Sequence, residues 1–296
     1  MKLMRTFAAA ALSLAALAAP ALAQEVGEED IVVTGRRLEE IVREFVGEVA
    51  VAPGSEDQLA RWDRRICPGV IGLRNRALAQ RIIDRVAQRA FEIGLEVDDP
   101  GCRADVIVFI TPDSTALATE LRDNFRRLVN YYSENNSATL GRDALDDFVE
   151  TPRTVRWWHV TNSTTRDGYT MGEGTQQVRA HGTRLSRETR QDFSRVIIVV
   201  DAQRAQGVNA DSLADYIAMV SLAQLDINAD TSAYPSILNL FGDAGERPVV
   251  MTEWDLAYLH GLYDATRNAT SASRQQNEIT GEMAEELNED PAPPAE

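Results

Sequence analysis

The chain has 296 residues, of which 44% are hydrophobic, and its formal net charge is −16 at pH 7. This apolar fraction is sufficient for a packed core, and the length allows one large domain or two small ones. The strongly acidic composition disfavours nucleic acids and anionic membranes as partners, because both would repel the protein.

The amino terminus has the pattern of a secretory signal peptide. Lys2 and Arg5 form a basic start, an apolar segment rich in alanine and leucine follows, and small residues up to Ala23 provide a cleavage site. We therefore expect residues 1–23 to be removed, which takes the formal charge from −16 to −18. The apolar run is too short for a membrane anchor, and no later stretch has the length of a membrane span.

Residues 24–50 are predicted to form an N-terminal arm and a short helix. The segment from Asp30 to Arg37 (DIVVTGRR) resembles the energy-coupling box that opens many outer-membrane receptors of Gram-negative bacteria. We interpret this segment as a strand or an extended arm, with an accessory role in outer-membrane uptake as the alternative. The apolar spacing from Leu38 to Val46 predicts the short helix.

The two cysteines of the chain are Cys67 and Cys102. Because an exported chain meets an oxidising compartment, we predict one disulfide between them. A reactive dithiol is disfavoured by the absence of a CxxC spacing. A metal site at this pair is disfavoured since no histidine lies near either cysteine in the sequence.

Residues 51–287 are predicted to form a single α+β domain in which a mixed sheet is packed by helices. The helix–strand–helix order found from Asn75 to Tyr132 recurs from Asp192 to Asp226, and this order indicates layered packing. Residues 288–296 are acidic and rich in proline, which predicts a disordered tail.

The most apolar stretch is Val196–Val200, five consecutive β-branched residues that are followed by Asp201. This run predicts a strand that is buried on both faces. An amphipathic helix is expected to follow as far as Leu225, with Asp211 or Ser212 as its N-cap.

Four residues are candidates for ligand binding, namely Trp157, Trp158, His159 and Asp201. In a strand the rings of Trp157 and Trp158 point to opposite faces, so one can pack in the core while the other covers a groove or a partner. Asp201 ends a buried strand, where ligand-binding loops often start in α/β sheets. A packing role for the aromatic residues and a capping role for Asp201 are the alternatives.

No catalytic residue, metal ligand or cofactor is predicted. The chain has neither an HExxH nor a GxSxG motif. The alternative is a hydrolase in which the carboxylates of Asp201, Asp211 and Asp215 meet in a cleft with His159 or His260.

Residues 190–265 resemble a group of exported bacterial proteins, themselves uncharacterised, that are distantly similar to zincin metallopeptidases. Three features carry the resemblance: the helix from Ser212 to Leu225 directly after a strand, the PSILN segment that begins at Pro235, and the closing stretch Met251–Tyr263. The resemblance implies a zincin-like architecture, in which the closing helix has an inward-facing Asp255.

The chain departs from zincins where they hold their metal. Tyr216 to Val220 (YIAMV) stand in place of HExxH, so neither the zinc ligands nor the glutamate base is present. The resemblance therefore implies a degenerate zincin-like fold. We expect a secreted or periplasmic non-catalytic envelope protein, a binding or scaffold module whose partner is an unknown envelope protein or a small ligand.

Overall fold

The chain forms an α+β structure in which helices pack on a mixed sheet, so the predicted fold class is confirmed. The computed structural model describes residues 28–53, 56–130, 137–169, 186–242 and 247–289. The predicted signal peptide and most of the predicted tail lie outside the described residues.

The sheet has five strands in the order β1-β2-β5-β4-β3. Strands β1, β2 and β5 are parallel, whereas β4 runs antiparallel to β5 and β3 runs antiparallel to β4. The strands are β1 Pro68–Ile71, β2 Val106–Thr111, β3 Ser137–Ala138, β4 Val155–Thr165 and β5 Thr189–Asp201. Residues 196–200 of β5 lie between β2 and β4 and are buried, as the β-branched run predicts.

Helices cover both faces of the sheet and define two apolar cores. They are α1 Glu28–Val49, α2 Arg76–Glu92, α3 Ser114–Asn124, α4 Arg126–Val129, α5 Arg142–Glu150, α6 Ala210–Leu222, α7 Glu253–Asp264 and α8 Ala272–Glu289, with a 3-10 helix at Ile237–Phe241. Helices α1, α2, α6, α7 and α8 supply the first core, and α3, α4 and α5 supply the second. Alternate residues of β5 enter each core, because successive side chains of a strand point to opposite faces.

Helix α6 lies within the first core, and its residues from Ser212 to Leu222 are all buried. The predicted N-cap is wrong, because the side chain of Asn209 caps this helix and accepts hydrogen bonds from the backbone N–H groups of Asp211 and Ser212. The last carbonyls of the helix accept bonds from ring donors, among them Trp62 Nε1, which lies 2.8 Å from the oxygen of Ser221. The helix is therefore fixed at both ends.

The extended arm predicted for the N-terminal segment is wrong, since α1 includes residues 31–35. The helix predicted from Leu38 to Val46 is confirmed. Phe45 and Val49 are buried against the first core, so tertiary packing supports the C-terminal half of α1. Extending an existing helix adds one hydrogen bond for each residue ordered, which makes continuation less costly than a new start.

The predicted disulfide is confirmed and joins Cys67, directly before β1, to Cys102 in the segment that leads to β2. Such a bond is compatible with an exported protein, because disulfides persist in oxidising compartments. Within the part of the chain that the structure describes, no helix combines the length and apolarity that a membrane crossing needs.

Candidate functional site

The two adjacent tryptophans lie in different cores, with Trp157 in the first and Trp158 in the second. Their side chains are 7% and 2% exposed. Each indole nitrogen donates to a backbone carbonyl, Trp157 Nε1 to Leu225 at 3.3 Å and Trp158 Nε1 to Val129 at 2.8 Å. These contacts give both rings a packing role, and their role in ligand binding stays a prediction.

His159 is buried beneath α6, and its Nε2 lies 2.8 Å from the carbonyl oxygen of Val220. Burial disfavours the imidazolium and lowers the pKa of His159 to about 4, although the hydrogen bond to Val220 opposes this shift. The side chain is therefore neutral at pH 7, and Nε2 donates to the carbonyl.

We expect His159 to make the fold sensitive to acid. Its pKa is lower in the folded state than the ordinary value of 6.5, so its contribution is complete above pH 6.5 and is lost as the pH falls towards 4. The shift corresponds to roughly 3 kcal/mol. Urea unfolding of the wild type and of His159→Gln at pH 7.5 and 4.5 measures this, because glutamine retains a donor but does not titrate.

The matched control for this test is His260→Gln, which removes a partly exposed histidine on α7 that contacts Glu286. We expect this variant to retain the acid sensitivity of the wild type. If the wild type and His159→Gln lost the same free energy of unfolding between pH 7.5 and pH 4.5, the assignment to His159 would be contradicted.

Asp201 lies at the end of β5, and its carboxylate is held by three donors. Ser114 Oγ donates at 2.8 Å, and the backbone N–H groups of Gln203 and Arg204 each donate at 3.0 Å. Burial alone would raise the pKa of Asp201, but these hydrogen bonds outweigh it and lower the pKa below its ordinary value. Arg156 also donates to Ser114 Oγ, at 3.2 Å. The network explains Asp201 as a residue that closes the strand, and its role in binding stays a prediction.

The carboxylates of the hydrolase alternative have separate partners. Asp215 is fully buried and accepts from Arg89 Nε at 2.9 Å and from the backbone N–H of Met251 at 3.0 Å. Asp211 is exposed and lies 3.4 Å from Arg81. The guanidinium of Arg85 lies between the two carboxylates and contacts both only weakly, at 3.9 Å from Asp211 and 3.5 Å from Asp215. Among the described residues, no cluster of three or more His, Cys, Asp or Glu side chains is arranged to hold a metal.

Four arginines line a groove near the amino end of β2, beside the C-terminal end of α3. The volume of this arginine groove is about 480 Å³. Its lining residues are Arg103, Asp123, Asn124, Phe125, Arg126, Arg127, Leu128 and Arg195.

The sheet topology brings these arginines together from three segments. Arg103 lies shortly before β2, and Arg195 directly precedes Val196, the residue of β5 that pairs with the first residue of β2. Because β2 and β5 pair in parallel from Val106 and Val196 onwards, the residues that precede these two positions lie at the same end of the paired segment. Arg126 and Arg127 arrive on α4, directly after α3.

The groove has an excess of positive charge on an acidic protein. Its carboxylate, Asp123, is paired with Arg122 at 2.8 Å. Arg195 donates to the carbonyl of Leu128 at 2.7 Å, and its pKa is lowered first by burial and then by the nearby charge of Arg103. A bound anion would relieve this repulsion, since an opposite charge favours the charged form of each arginine.

The groove also has an apolar wall, because Phe125 is 52% exposed. Arg126 and Arg127 are exposed, whereas Arg195 is partly buried and held by backbone carbonyls. The site thus combines one guanidinium that is held by backbone carbonyls with two arginines that are exposed to solvent. Guanidinium groups bind carboxylates and phosphates through two parallel hydrogen bonds.

No family model, curated protein or solved structure matches the chain. The function must therefore be inferred from the chain's own residues. Sequence reasoning missed the arginine groove, although the Phe-Arg-Arg sequence that begins at Phe125 is a local signal for it. Nothing local connects this sequence to Arg103 or Arg195, because only strand pairing brings them together.

Proposed function

We propose that the chain is an exported, non-catalytic binding module that holds a compact anionic ligand in the arginine groove. The observation that carries this proposal is that four arginines line a groove of about 480 Å³ on a protein of charge −16. The volume is in the range of small-molecule sites. The disulfide supports export.

The acidic remainder of the protein favours a compact ligand over an extended one. A long polyanion or an anionic membrane would contact surface beyond the groove and meet the net negative charge. A small ligand with two or more phosphate or carboxylate groups would contact only the arginines. Each hydrogen bond to a charged group is worth about 1.5–3 kcal/mol.

The side chains of α6 support the proposal that the protein is not a catalyst. Residues from Tyr216 to Val220 are buried. The carboxylate of the neighbouring Asp215 accepts hydrogen bonds from Arg89 and from the backbone N–H of Met251. A water-activating site needs an accessible base or a metal-bound water. This helix offers neither at these positions.

The contacts of Asp255 support the degenerate zincin-like scaffold as part of the proposal. Its carboxylate accepts from Ser236 Oγ at 2.6 Å and from the backbone N–H of Ile237 at 2.7 Å, and with Thr252 it forms a capping box on α7. The PSILN segment and the closing helix, which both carry the family resemblance, are thus joined by one buried carboxylate.

The test is calorimetric titration of the chain without its predicted signal peptide, residues 24–296, with tripolyphosphate and with citrate at low and high salt. We expect binding that weakens with salt, and we expect Arg126→Ala/Arg127→Ala to weaken it about 100-fold, the equivalent of roughly 3 kcal/mol. The matched control is Arg74→Ala/Arg76→Ala, which removes the same charge from exposed positions near the start of α2, beyond the opposite ends of the strands. Absence of binding to both anions, or equal effects of the two double variants, would overturn the proposal.

A further inference from the structure

Phe125 is an apolar side chain that the arginine groove displays to solvent. It is 52% exposed, and it lines the groove together with Arg126 and Arg127. Among the described residues one other phenylalanine, Phe91 in the last turn of α2, is also mainly exposed, and it does not line the groove. The groove therefore places an open aromatic ring beside guanidinium groups.

The exposure of Phe125 results from a break between two helices. Leu121, Phe125 and Val129 are spaced by four residues, so a continuous helix would place all three on one face. Leu121 and Val129 are buried in the second core, whereas Phe125 has non-helical backbone angles, φ −115° and ψ 43°, at the junction of α3 and α4. The break turns the ring out of the core, and the ring lines the groove instead.

The backbone on both sides of Phe125 is held by hydrogen bonds. Its N–H donates to the carbonyl of Leu121 at 3.1 Å, and its carbonyl accepts from the N–H of Leu128 at 2.7 Å. Arg195 contacts the same segment and donates to the carbonyl of Leu128 at 2.7 Å. The segment that carries the ring is thus fixed before any ligand binds, which lowers the conformational cost of binding.

Two guanidinium groups of the groove retain their full hydrogen-bonding capacity. The side chains of Arg103 and Arg127 are exposed and make no hydrogen bond or ion pair with the described residues. The acidic lining residue, Asp123, is paired with Arg122 at 2.8 Å. An anion would therefore not have to displace a partner from either arginine, and it would lie in the same groove as the ring of Phe125.

We propose that the ligand of the arginine groove is an anion joined to a planar aromatic ring, as in a nucleoside polyphosphate; this inference rests on the proposed function. The arginines bind the phosphates through paired hydrogen bonds, and the ring of Phe125 stacks on the base. An inorganic anion would leave the ring exposed to water, and an aliphatic group has no π-face to stack on it. A polynucleotide is disfavoured because it would extend beyond the groove and meet the net negative charge.

The test is calorimetric titration of residues 24–296 with ATP and with tripolyphosphate, in the absence of divalent cations. The two probes carry similar charge at neutral pH, so charge alone predicts similar affinities. We expect ATP to bind more tightly by about 10-fold or more, because a base gains that much by stacking on an aromatic side chain. ADP should likewise bind more tightly than isopentenyl diphosphate, whose apolar group is aliphatic.

Three variants show whether Phe125 is the cause of this preference. Phe125→Ala should weaken ATP binding about 10-fold and bring the ratio of the ATP and tripolyphosphate affinities close to one. Phe125→Trp should retain the preference for ATP, because indole also stacks on a base. The matched control is Phe91→Ala, which removes an exposed phenylalanine outside the groove and should keep the ratio of the wild type.

The outcomes separate this inference from the proposed function. If neither ATP nor tripolyphosphate binds, both fail. If both probes bind and ATP is no tighter, or if Phe125→Ala weakens the two equally, the groove remains an anion site and the aromatic ligand is excluded. Equal binding of ADP and isopentenyl diphosphate would also overturn the inference. Thermal unfolding shows that each variant retains the fold, and the comparison of probes on the wild type needs no variant.

Discussion

Replacing Arg89 with leucine is expected to destabilise the fold by about 3–5 kcal/mol, because a buried carboxylate would lose its main partner. Asp215 has no exposed surface, and Arg89 Nε lies 2.9 Å from its Oδ1. The pair joins α2 to α6, the helix that occupies the first core. Equilibrium unfolding in urea at pH 7 gives the free energy of unfolding of Arg89→Leu against the wild type.

Two controls decide whether the buried charge is the cause. Arg89→Leu/Asp215→Asn should recover most of the lost stability, because asparagine is neutral and still accepts from the N–H of Met251. Arg81→Leu removes a guanidinium of the same helix that pairs with Asp211 at an exposed site, and it should cost at most about 1 kcal/mol. If Arg89→Leu were no more destabilising than Arg81→Leu, a structural role for Asp215 would be excluded and the hydrolase alternative would regain support.

Removal of the disulfide in Cys67→Ala/Cys102→Ala is expected to lower the free energy of unfolding by roughly 3–4 kcal/mol in the chain-entropy model. The bond joins residues that are 35 positions apart in sequence, so its loss frees a long loop in the unfolded chain. Chemical unfolding of the double variant and of the reduced wild type measures the effect, and the two should agree.

The disulfide also positions part of the arginine groove. Arg103 directly follows Cys102, and Asp105 Oδ1 accepts from the N–H of Cys67 at 2.7 Å. We therefore expect the double variant to bind tripolyphosphate more weakly even at temperatures where it is folded. Unchanged stability together with unchanged binding would show that neighbouring hydrogen bonds alone hold this segment.

The regular elements could be predicted from the sequence because their signals are local. The apolar run at Val196–Val200 forms the buried part of β5, and the helix–strand–helix order expected from Asn75 to Tyr132 is observed as α2, β2 and α3, although only the first half of β2 is buried. The N-terminal segment shows the limit of this reasoning. Residues 31–35 have β-branched character but continue a helix whose C-terminal half is buried in the core.

The candidate site residues illustrate a second limit. Trp157, Trp158 and His159 attract attention by residue type, but burial decides which atoms remain available, and all three donate to backbone carbonyls. The arginine groove escaped prediction for the opposite reason. Arg103 and Arg195 are individually ordinary, and they become a site only when β2 and β5 pair in parallel.

The sequence by itself determined the acidic charge, the disulfide, the main strands and helices and the α+β class, since each depends on composition or on short-range periodicity. Only the tertiary structure decided that Asp215 pairs with Arg89 and that the ring of His159 is buried beneath α6. It also decided that four arginines line one groove. The physical reason is that strand register and helix packing set the distances between residues far apart in the chain, and these distances govern burial and charge.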